Sequence, residues 1–400
     1  MIHVIGGTYL ELCPERRWHE LYGSGLRASI ALNRLQTRVH FHTFIGSRLK
    51  NLLLAKSENI TVHPVDVDKT IGFNYLHAMS KPLVEPERYV RECLDDPQTI
   101  ELKEEKVLRF GMVEGSGKVQ GKMVTYDPQT PEGPKRFQAN GSKAERLAVV
   151  TNQREAERMT GRRRPEAACK ALLKDGAEVA VVKCGPDGCL VATKKGVTQV
   201  PAYLSPRTWP IGSGDIFSAL FAHGWMEEGR KPVEAADRAS KGTSYFVEAG
   251  NFPTDEALQK SKFKPLERLP RRKQKKVYLA GPFFNLPQRW LIEEFRNALL
   301  DASVRVFSPL HDVGRGEAKV VYGPDIKGLK ESGVVLACLD GLDPGTIYEV
   351  GYAHKLGLKV IGYVSSEREE DLKMISGGGS EMTNDFATAV YLTIWAATCK

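Results

Sequence analysis

The sequence predicts an α/β protein of two domains, each built on a largely parallel sheet with helices on both faces. Two observations support this prediction: short apolar strands alternate with helical segments along the chain, and one basic, proline-containing segment interrupts the alternation. The length of 400 residues also favours two domains over one. The content of 42% apolar and 26% charged residues is typical of a globular protein.

The basic segment from Lys262 to Lys276 carries most of the net charge. It holds eight basic residues and one acidic residue, a net charge of +7, while the whole chain carries +8. We interpret residues 263–275 as a solvated linker between a first domain, residues 1–262, and a second domain, residues 276–400. Because the rest of the chain is nearly neutral, a nucleic-acid partner is the less favoured interpretation of this segment.

Membrane, secreted and zinc-binding classes are not indicated. No apolar run is long enough to cross a bilayer, and the N-terminus lacks the pattern of a signal peptide. The seven cysteines are scattered and include no C-x-x-C pair. We therefore expect reduced thiols, a cytoplasmic location and no membrane partner.

In the first domain, the segment Gly212-Ser213-Gly214-Asp215 precedes a predicted helix over 215–225. Glycines let backbone N–H groups approach a ligand closely, and a helix N-terminus favours negative charge. An aspartate there can take a proton from a hydroxyl while the N–H groups hold the phosphate being transferred. A capped helix after a glycine turn explains the same four residues without any catalysis.

Three further segments accompany this motif: Gly23-Ser24-Gly25 before an alanine-rich helix, Asn152 to Glu155 after a strand, and Lys183 to Gly188 after another strand. In this order and spacing, residues 1–255 resemble the ribokinase-like (PfkB) family of sugar and nucleoside kinases. The resemblance implies a three-layer α/β/α domain that uses ATP and Mg²⁺.

The same resemblance implies roles for individual residues, with Asp215 as the catalytic base. The residues expected at the ATP, Mg²⁺ and phosphates are Gly212, Ser213, Gly214, Asn152, Glu155, Lys183 and Gly185, with Glu155 acting on Mg²⁺ indirectly. The residues expected at the substrate are Glu11, Gly23, Gly25 and Arg27. Arg27 stands where the family has asparagine, Glu11 where it has aspartate, and Trp209-Pro210-Ile211 where it has an Asp-Thr pair. These departures leave open an unusual, for example anionic, substrate or a ligand that is bound without turnover.

The second domain repeats the alternation with four predicted strands and crossover helices, a compact Rossmann-like (flavodoxin-like) sheet. After its third strand comes Asp343-Pro-Gly-Thr-Ile-Tyr-Glu349, which predicts two carboxylates near the carboxyl end of a strand. Ligands bind in that crevice, and a carboxylate pair there indicates chemistry at a glycosidic carbon. Simpler structural roles also fit: Thr346 and Glu349 match a capping box with Glu349 in the first turn, and Asp325 matches a helix N-cap.

Taken together, Tyr278 in Y-x-A-G-P, Asp325 and the segment Asp343 to Ala353 resemble the nucleoside 2-deoxyribosyltransferase family over about residues 276–390. The resemblance implies that Glu349 attacks the anomeric carbon of a nucleoside and forms a glycosyl-enzyme ester. Asp343 and Asp325 would assist the departing base, Tyr278 would position Glu349, and no cofactor is expected. The residues expected to bind the substrate are Gly281, Ser380 and Met382.

The family often completes its site with a segment of a neighbouring subunit, so the resemblance implies a homo-oligomer formed through the second domain. Ser380 stands where an asparagine is expected in that segment. This leaves open transfer or hydrolysis, and a nucleoside, a nucleotide or NAD as substrate.

The preferred hypothesis is a bifunctional enzyme of nucleoside metabolism, a kinase joined to a glycosyl transferase or hydrolase. The alternative is a sensor–effector protein of the phage-defence type, in which a degenerate kinase domain binds a nucleotide signal and the second domain hydrolyses a nucleotide or NAD pool. A non-enzymatic nucleic-acid scaffold is the least favoured hypothesis.

Overall fold

The protein is described by a computed structural model that covers residues 1–130 and 133–400. The chain divides into two compact units, the first unit from Met1 to Pro265 and the second unit from Leu266 to Lys400. Within the described residues, no helix combines the length and apolar character needed to cross a membrane.

Over residues 1–130 and 133–265, the first unit contains thirteen strands and eight α-helices. The strands are β1 Ile2–Ile5, β2 Leu10–Cys13, β3 Trp18–Leu21, β4 Val39–Gly46, β5 Thr61–Val67, β6 Gly72–Asn74, β7 Leu83–Glu85, β8 Gln98–Phe110, β9 Gly115–Asp127, β10 Lys143–Asn152, β11 Val179–Lys183, β12 Cys189–Thr193 and β13 Gly196–Val200. The helices are α1 Gly23–Arg34, α2 Lys50–Lys56, α3 Glu87–Asp95, α4 Gln153–Thr160, α5 Pro165–Lys174, α6 Ser213–Ala222, α7 Pro232–Ala249 and α8 Asp255–Lys260. A π-helical turn, His223–Glu227, follows α6 directly.

Nine of these strands form one sheet in the order β13-β12-β11-β10-β9-β8-β1-β4-β5, and four form a small second sheet in the order β3-β2-β6-β7. The large sheet is parallel except where β12 runs against both of its neighbours. Two apolar cores flank it, one with α1, α6 and α7 and the other with α4 and α5. Successive side chains of a strand point to opposite faces, so Val4 lies in the first core and Ile5 in the second. The predicted α/β class is confirmed.

The strands β8 and β9 depart from the predicted alternation because no helix separates them. They pair in parallel from Gln98 opposite Gly115 to Phe110 opposite Asp127. The five steps from Phe110 to Gly115 span at most about 18 Å, whereas a straight strand of this length extends about 40 Å. Both strands must therefore bend back on themselves.

The second unit contains one sheet of five parallel strands, one more than the four predicted. The strands are β14 Val277–Ala280, β15 Val306–Phe307, β16 Val334–Cys338, β17 Lys359–Tyr363 and β18 Glu381–Thr383, in the order β15-β14-β16-β17-β18. The helices are α9 Leu286–Asp301, α10 Ala318–Lys330, α11 Pro344–Lys355, α12 Lys373–Gly377 and α13 Phe386–Thr398. The predicted parallel sheet of the second domain is confirmed.

Two helix starts differ from the prediction. Helix α10 begins at Ala318, so Asp325 lies inside the helix and is not an N-cap. Helix α11 begins one residue after Asp343, whose carboxylate accepts the N–H of Thr346 at 2.8 Å. Pro344 favours this start because its fixed φ suits the first helical position. The predicted capping box is therefore absent, and Glu349 lies in the second helical turn.

The segment 266–275 pairs with the end of α13 inside the second unit. The N–H of Leu269 donates to the carbonyl of Thr398 at 2.7 Å, and the N–H of Lys275 donates to the carbonyl of Ala397 at 2.9 Å. These bonds satisfy carbonyl groups that a helix C-terminus leaves without partners.

Candidate active sites

The first candidate site lies at the start of α6. Gly212 is the N-cap of this helix and has a left-handed backbone, with φ of +78°. A Cβ at this position would lie 2.1 Å from Nε of Arg27, so only glycine fits. Asp215 follows in the first turn of the helix and is buried.

Arg27 connects the predicted base to a predicted substrate residue. Its side chain is only 2% exposed, and Nη1 donates to Oδ2 of Asp215 at 2.8 Å while Nη2 donates to Oε2 of Glu11. The remaining oxygens also have partners. Oε1 of Glu11 accepts the N–H of Gly23 at 3.1 Å, and Oδ1 of Asp215 accepts from Gln129 at 2.8 Å. Burial alone would lower the pKa of Arg27, but the two carboxylates raise it above its ordinary value.

A second buried ion pair lies beside the first. Nζ of Lys183 donates to Oδ2 of Asp127 at 2.7 Å, and the hydroxyl of Ser218 donates to the same oxygen at 2.6 Å. Burial raises the pKa of Asp127, against the opposing effect of Lys183. For Lys183, burial acts to lower the pKa, while Asp127 and Glu155 raise it above its ordinary value. The Nζ atom is 3.4 Å from where a Cβ of Gly214 would stand, so this ammonium borders the predicted anion hole.

Asn152 and Glu155 form the capping box of α4. Oδ1 of Asn152 accepts the N–H of Glu155 at 2.9 Å, and Oε2 of Glu155 accepts the N–H of Asn152 at 2.9 Å and the hydroxyl of Thr151 at 2.9 Å. Gly185 starts a short 3-10 turn after β11. Ser213 begins α6, and Gly25 packs its backbone against Gly6.

The residues around α6 fit ATP and Mg²⁺. The N–H groups at a helix start and the ammonium of Lys183 suit phosphates. Oδ1 of Asp127 is buried without a hydrogen-bond partner among the described residues, and Mg²⁺ prefers such carboxylate oxygens together with phosphate oxygens. Across residues 1–130 and 133–400, no group of three or more His, Cys, Asp or Glu side chains is arranged to hold a metal by itself.

The sequence predictions did not include Asp127, Gln129 or Ser218. Asp127 could have been found, because it is the first charged residue after the apolar end of β9. Gln129 and Ser218 carry no comparable signal, since their role depends on contacts with Asp215 and Asp127 that are distant in sequence.

The second candidate site lies at the carboxyl end of β14. The hydroxyl of Tyr278 donates to Oε1 of Glu349 at 2.6 Å. Tyr278 is buried on β14 and stacks on Phe307, with ring centroids 5.4 Å apart. Glu349 is partly buried on α11. The strand thus holds the phenol rigidly against the carboxylate.

Both acids near this contact have raised pKa values. Burial raises the pKa of Glu349 to about 7, the hydrogen bond from Tyr278 lowers it, and the charges of Asp325 and Asp343 raise it further. Burial also raises the pKa of Asp325. Oδ1 of Asp325 is buried without a hydrogen-bond partner among the described residues, so this oxygen is available to a ligand. For Tyr278, burial followed by Glu349 raises the pKa above its ordinary value.

Asp343 contacts its own helix rather than Glu349. Its Oδ2 accepts both the N–H of Thr346 at 2.8 Å and the hydroxyl of Thr346 at 2.9 Å. The position is therefore a helix cap whose negative charge acts on Glu349 through space.

The other predicted residues of this domain lie elsewhere. The hydroxyl of Ser380 is 2.9 Å from Nε2 of His354, which the sequence predictions did not include. Met382 is paired with Gly362 between β18 and β17. Gly281 allows close packing, because a Cβ there would lie 2.7 Å from Ile292. The structure thus brings Tyr278, Asp325 and Glu349 together, and does not bring Ser380 or Met382 to them.

Two α/β units with ionisable clusters beside strand ends and helix starts define a two-domain enzyme. The family model for pfkB family carbohydrate kinases matches residues 117–250, and the one for nucleoside 2-deoxyribosyltransferases matches residues 277–385. The chain therefore joins a domain of a carbohydrate kinase family to a domain of a nucleoside 2-deoxyribosyltransferase family. A search of curated proteins finds no match.

Several solved structures are similar to this chain. A PfkB protein from Polaromonas sp. JS666 is 17% identical, with 65% of this chain and 99% of that chain covered and a TM-score of 0.46. A ribokinase from Thermotoga maritima is 16% identical, with 65% and 98% covered and a TM-score of 0.45. A fructokinase from Vibrio cholerae O395, bound to fructose, ADP and calcium, is 17% identical, with 64% and 97% covered and a TM-score of 0.48.

Proposed function

We propose that the second unit cleaves or transfers at the N-glycosidic bond of a nucleoside or nucleotide. The observation that carries this proposal is the contact between the Tyr278 hydroxyl and Glu349 at 2.6 Å, beside a buried Asp325 oxygen that has no hydrogen-bond partner in the described part of the chain. The match of residues 277–385 to the nucleoside 2-deoxyribosyltransferase family supports it.

In the proposed first step, a carboxylate oxygen of Glu349 attacks the anomeric carbon. A carbon–oxygen bond forms as the carbon–nitrogen bond breaks, and the electron pair leaves with the base, which takes a proton. Because Tyr278 donates to Oε1, the attacking oxygen is Oε2. Water or a second base then takes the sugar and restores the carboxylate.

The geometry favours Asp325 over Asp343 as the proton donor to the base. Burial raises the pKa of Asp325, which favours its protonated form, and its Oδ1 has no partner among the described residues. Asp343 already accepts two hydrogen bonds from Thr346. We assign Asp343 to positioning α11 and to raising the pKa of Glu349.

The surface beside these acids suits a nucleobase. Tyr322 precedes Asp325 on α10, Tyr348 precedes Glu349 on α11, and their exposed hydroxyls are 3.1 Å apart. Aromatic faces of this kind stack on bases regardless of base identity.

The segment with Ser380 is proposed to act on a neighbouring subunit. Strand β18 lies three strands from β14, a separation of about 14 Å in a flat sheet. The Ser380 hydroxyl contacts His354 of its own chain, and a role in the site of a second copy would require a homo-oligomer formed through the second unit.

For the first unit we propose ATP-dependent phosphoryl transfer to a hydroxyl of a sugar or nucleoside. The N–H groups of Gly212–Gly214 and the ammonium of Lys183 would hold the phosphates. Asp127 would hold Mg²⁺, with Glu155 acting on it indirectly, and the ion would neutralise phosphate charge when bound. The second candidate, a nucleotide sensor that controls the second unit, is favoured by the full pairing of both Asp215 oxygens.

The experiment for the second unit is product analysis by mass spectrometry. The full chain is incubated with a mixture of deoxynucleosides, ribonucleosides, their monophosphates and NAD. We expect a free base or an exchanged nucleoside with the wild type and neither with Glu349→Ala. Failure of every substrate to release or exchange a base would refute the proposal, as would an unchanged rate in Glu349→Ala.

A further inference from the structure

In the candidate site of the first unit, the guanidinium of Arg27 lies between two carboxylates. Arg27, Glu11 and Asp215 are 2%, 4% and 7% exposed, and the guanidinium bonds to both acids. All four carboxylate oxygens have partners, which include the N–H of Gly23 and the amide of Gln129. The bridging guanidinium therefore competes with any hydroxyl that is to lose its proton to Asp215.

The charge of the cluster argues against an anionic substrate beside Arg27. Two carboxylates and one guanidinium leave a net charge of −1, and the guanidinium already binds both acids. An added anion would meet this excess negative charge in a buried environment, where repulsion is weakly screened. The expectation of an anionic substrate for Arg27 is therefore not favoured by the geometry.

A row of aromatic rings holds Arg27 and the start of α6 in place. The guanidinium of Arg27 lies 4.9 Å from the ring of Tyr22, which stacks on Trp18 at 6.0 Å. Trp18 contacts Trp209 at 5.9 Å, and the guanidinium of Arg16 covers Trp209 at 4.8 Å. These contacts connect β3 to the loop before α6. Trp209 in that loop belongs to the segment that stands where the kinase family has an Asp-Thr pair.

We propose that Arg27 occupies the place of the acceptor substrate in the first unit, so that phosphoryl transfer by this unit is latent. Transfer requires that the guanidinium no longer bridge Glu11 and Asp215. This inference concerns the first unit alone and is independent of glycosidic chemistry on Glu349.

The first test measures whether Arg27 is accessible in the wild-type full chain. The protein is treated with phenylglyoxal, with and without ATP, Mg²⁺ and D-ribose, D-fructose or adenosine, and modified arginines are located by peptide mass spectrometry. Arg88, whose side chain is 93% exposed, is the internal reference. We expect modified Arg88 and unmodified Arg27 in every condition. Modification of Arg27 at the rate of Arg88 overturns the proposal.

The second test removes the guanidinium. Phosphate transfer from labelled ATP to D-ribose, D-fructose and adenosine is compared in the wild type, Arg27→Asn and Arg27→Gln, with folding checked by circular dichroism. We expect at least one folded Arg27 variant to transfer about 10-fold more label than the wild type, and adding Asp215→Asn to reduce it by about 10²-fold.

The matched control is Arg34→Asn, which removes an exposed arginine of the same helix and should leave transfer at the wild-type level. The proposal is overturned if no folded Arg27 variant transfers more label than the wild type. The glutamine variant keeps a longer side chain with an amide N–H₂ donor in place of the guanidinium and serves if the asparagine variant does not fold. If neither variant folds, the phenylglyoxal result decides.

Discussion

The carboxylates of the two candidate sites differ in how many of their oxygens have hydrogen-bond partners. In the first unit, Glu11 and Asp215 share the guanidinium of Arg27, and each of their oxygens has a partner. In the second unit, Glu349 accepts one hydrogen bond from a neutral phenol, and burial and nearby acids raise its pKa to about 7. In the first unit a cation and other donors bind every carboxylate oxygen, whereas in the second unit Glu349 keeps an oxygen for reaction.

The largest expected effect is on the rate of base release, and it should be confined to variants of the second site. Glu349→Gln should lower base release on the order of 10³-fold or more, because it removes the nucleophile. Asp215→Asn should leave base release unchanged, since its partners lie in the first unit. The initial rate of base release is measured by chromatography. The control is Glu331→Gln, which replaces an exposed acid of the second unit. An equal loss in Asp215→Asn would contradict the separation of the sites.

The next effect concerns the stability of the paired site. Arg27→Met leaves two buried carboxylates without their cation and should reduce the free energy of unfolding of the first unit by about 3–5 kcal/mol. Replacing all three groups, as Glu11→Gln, Arg27→Met and Asp215→Asn, should recover much of this loss.

Urea denaturation followed by tryptophan fluorescence measures both changes. Arg88→Met, at an exposed arginine, should change stability by less than about 0.5 kcal/mol. A mild effect of Arg27→Met, similar to that of Arg88→Met, would mean that the ion pairs contribute little.

A smaller effect sharpens the description of the second site. Because Glu349 must be ionised to attack, kcat/KM should rise with pH through about 7. The hydrogen bond from Tyr278 lowers the pKa of Glu349, so Tyr278→Phe should move this rise to higher pH and reduce the rate at pH 6 by about 10-fold. The pH profile of Tyr352→Phe, at a tyrosine on the same helix as Glu349, serves as the control. An unmoved profile in Tyr278→Phe would show that the hydrogen bond does not tune Glu349.

The smallest effect concerns the scaffold of the first unit, away from its paired acids. Four histidine rings lie together on β1, β4 and β5: His3, His40, His42 and His63. Burial, followed by His63 and His3, lowers the pKa of His42 to about 3. Below pH 6.5 the unfolded chain binds a proton that folded His42 does not, so stability falls as the pH falls.

The expected loss from His42 is roughly 1–2 kcal/mol between pH 6.5 and pH 5. His42→Gln should flatten this dependence in urea denaturation, and His19→Gln, at an exposed histidine, should not. An unchanged slope in His42→Gln would assign the acid sensitivity to other groups.

Much of the fold was predictable because strands and helices leave strong local patterns. The alternation of apolar strands and helices predicted the large sheet of the first unit and the sheet of the second unit. The pair β8 and β9 was not predicted, because no helix separates these two parallel strands. Short β18 lacked a pattern of its own, since only its pairing with β17 defines it. The sequence predicts a start of α11 at Thr346, two residues late, because Thr346 and Glu349 match a capping box, whereas Asp343 is the N-cap in the structure.

The candidate sites were predictable only in part. The resemblances to the two families selected Tyr278 and Glu349, whose contact the structure contains, and Glu11, Arg27 and Asp215, which the structure brings together. It did not indicate that Arg27 would bind both acids, because the pairing depends on β2, α1 and α6 meeting in space. Gln129 and His354 were missed for the same reason.

The most direct test of the account is to trap the sugar on the second unit. The full chain is mixed with a nucleoside that it cleaves, quenched in acid within the first turnover and digested for peptide mass spectrometry. We predict one added sugar on the carboxylate of Glu349 in the wild type and none in Glu349→Gln. Base release with no sugar on any peptide, or with the sugar on another residue, would contradict the assignment of Glu349 as the nucleophile.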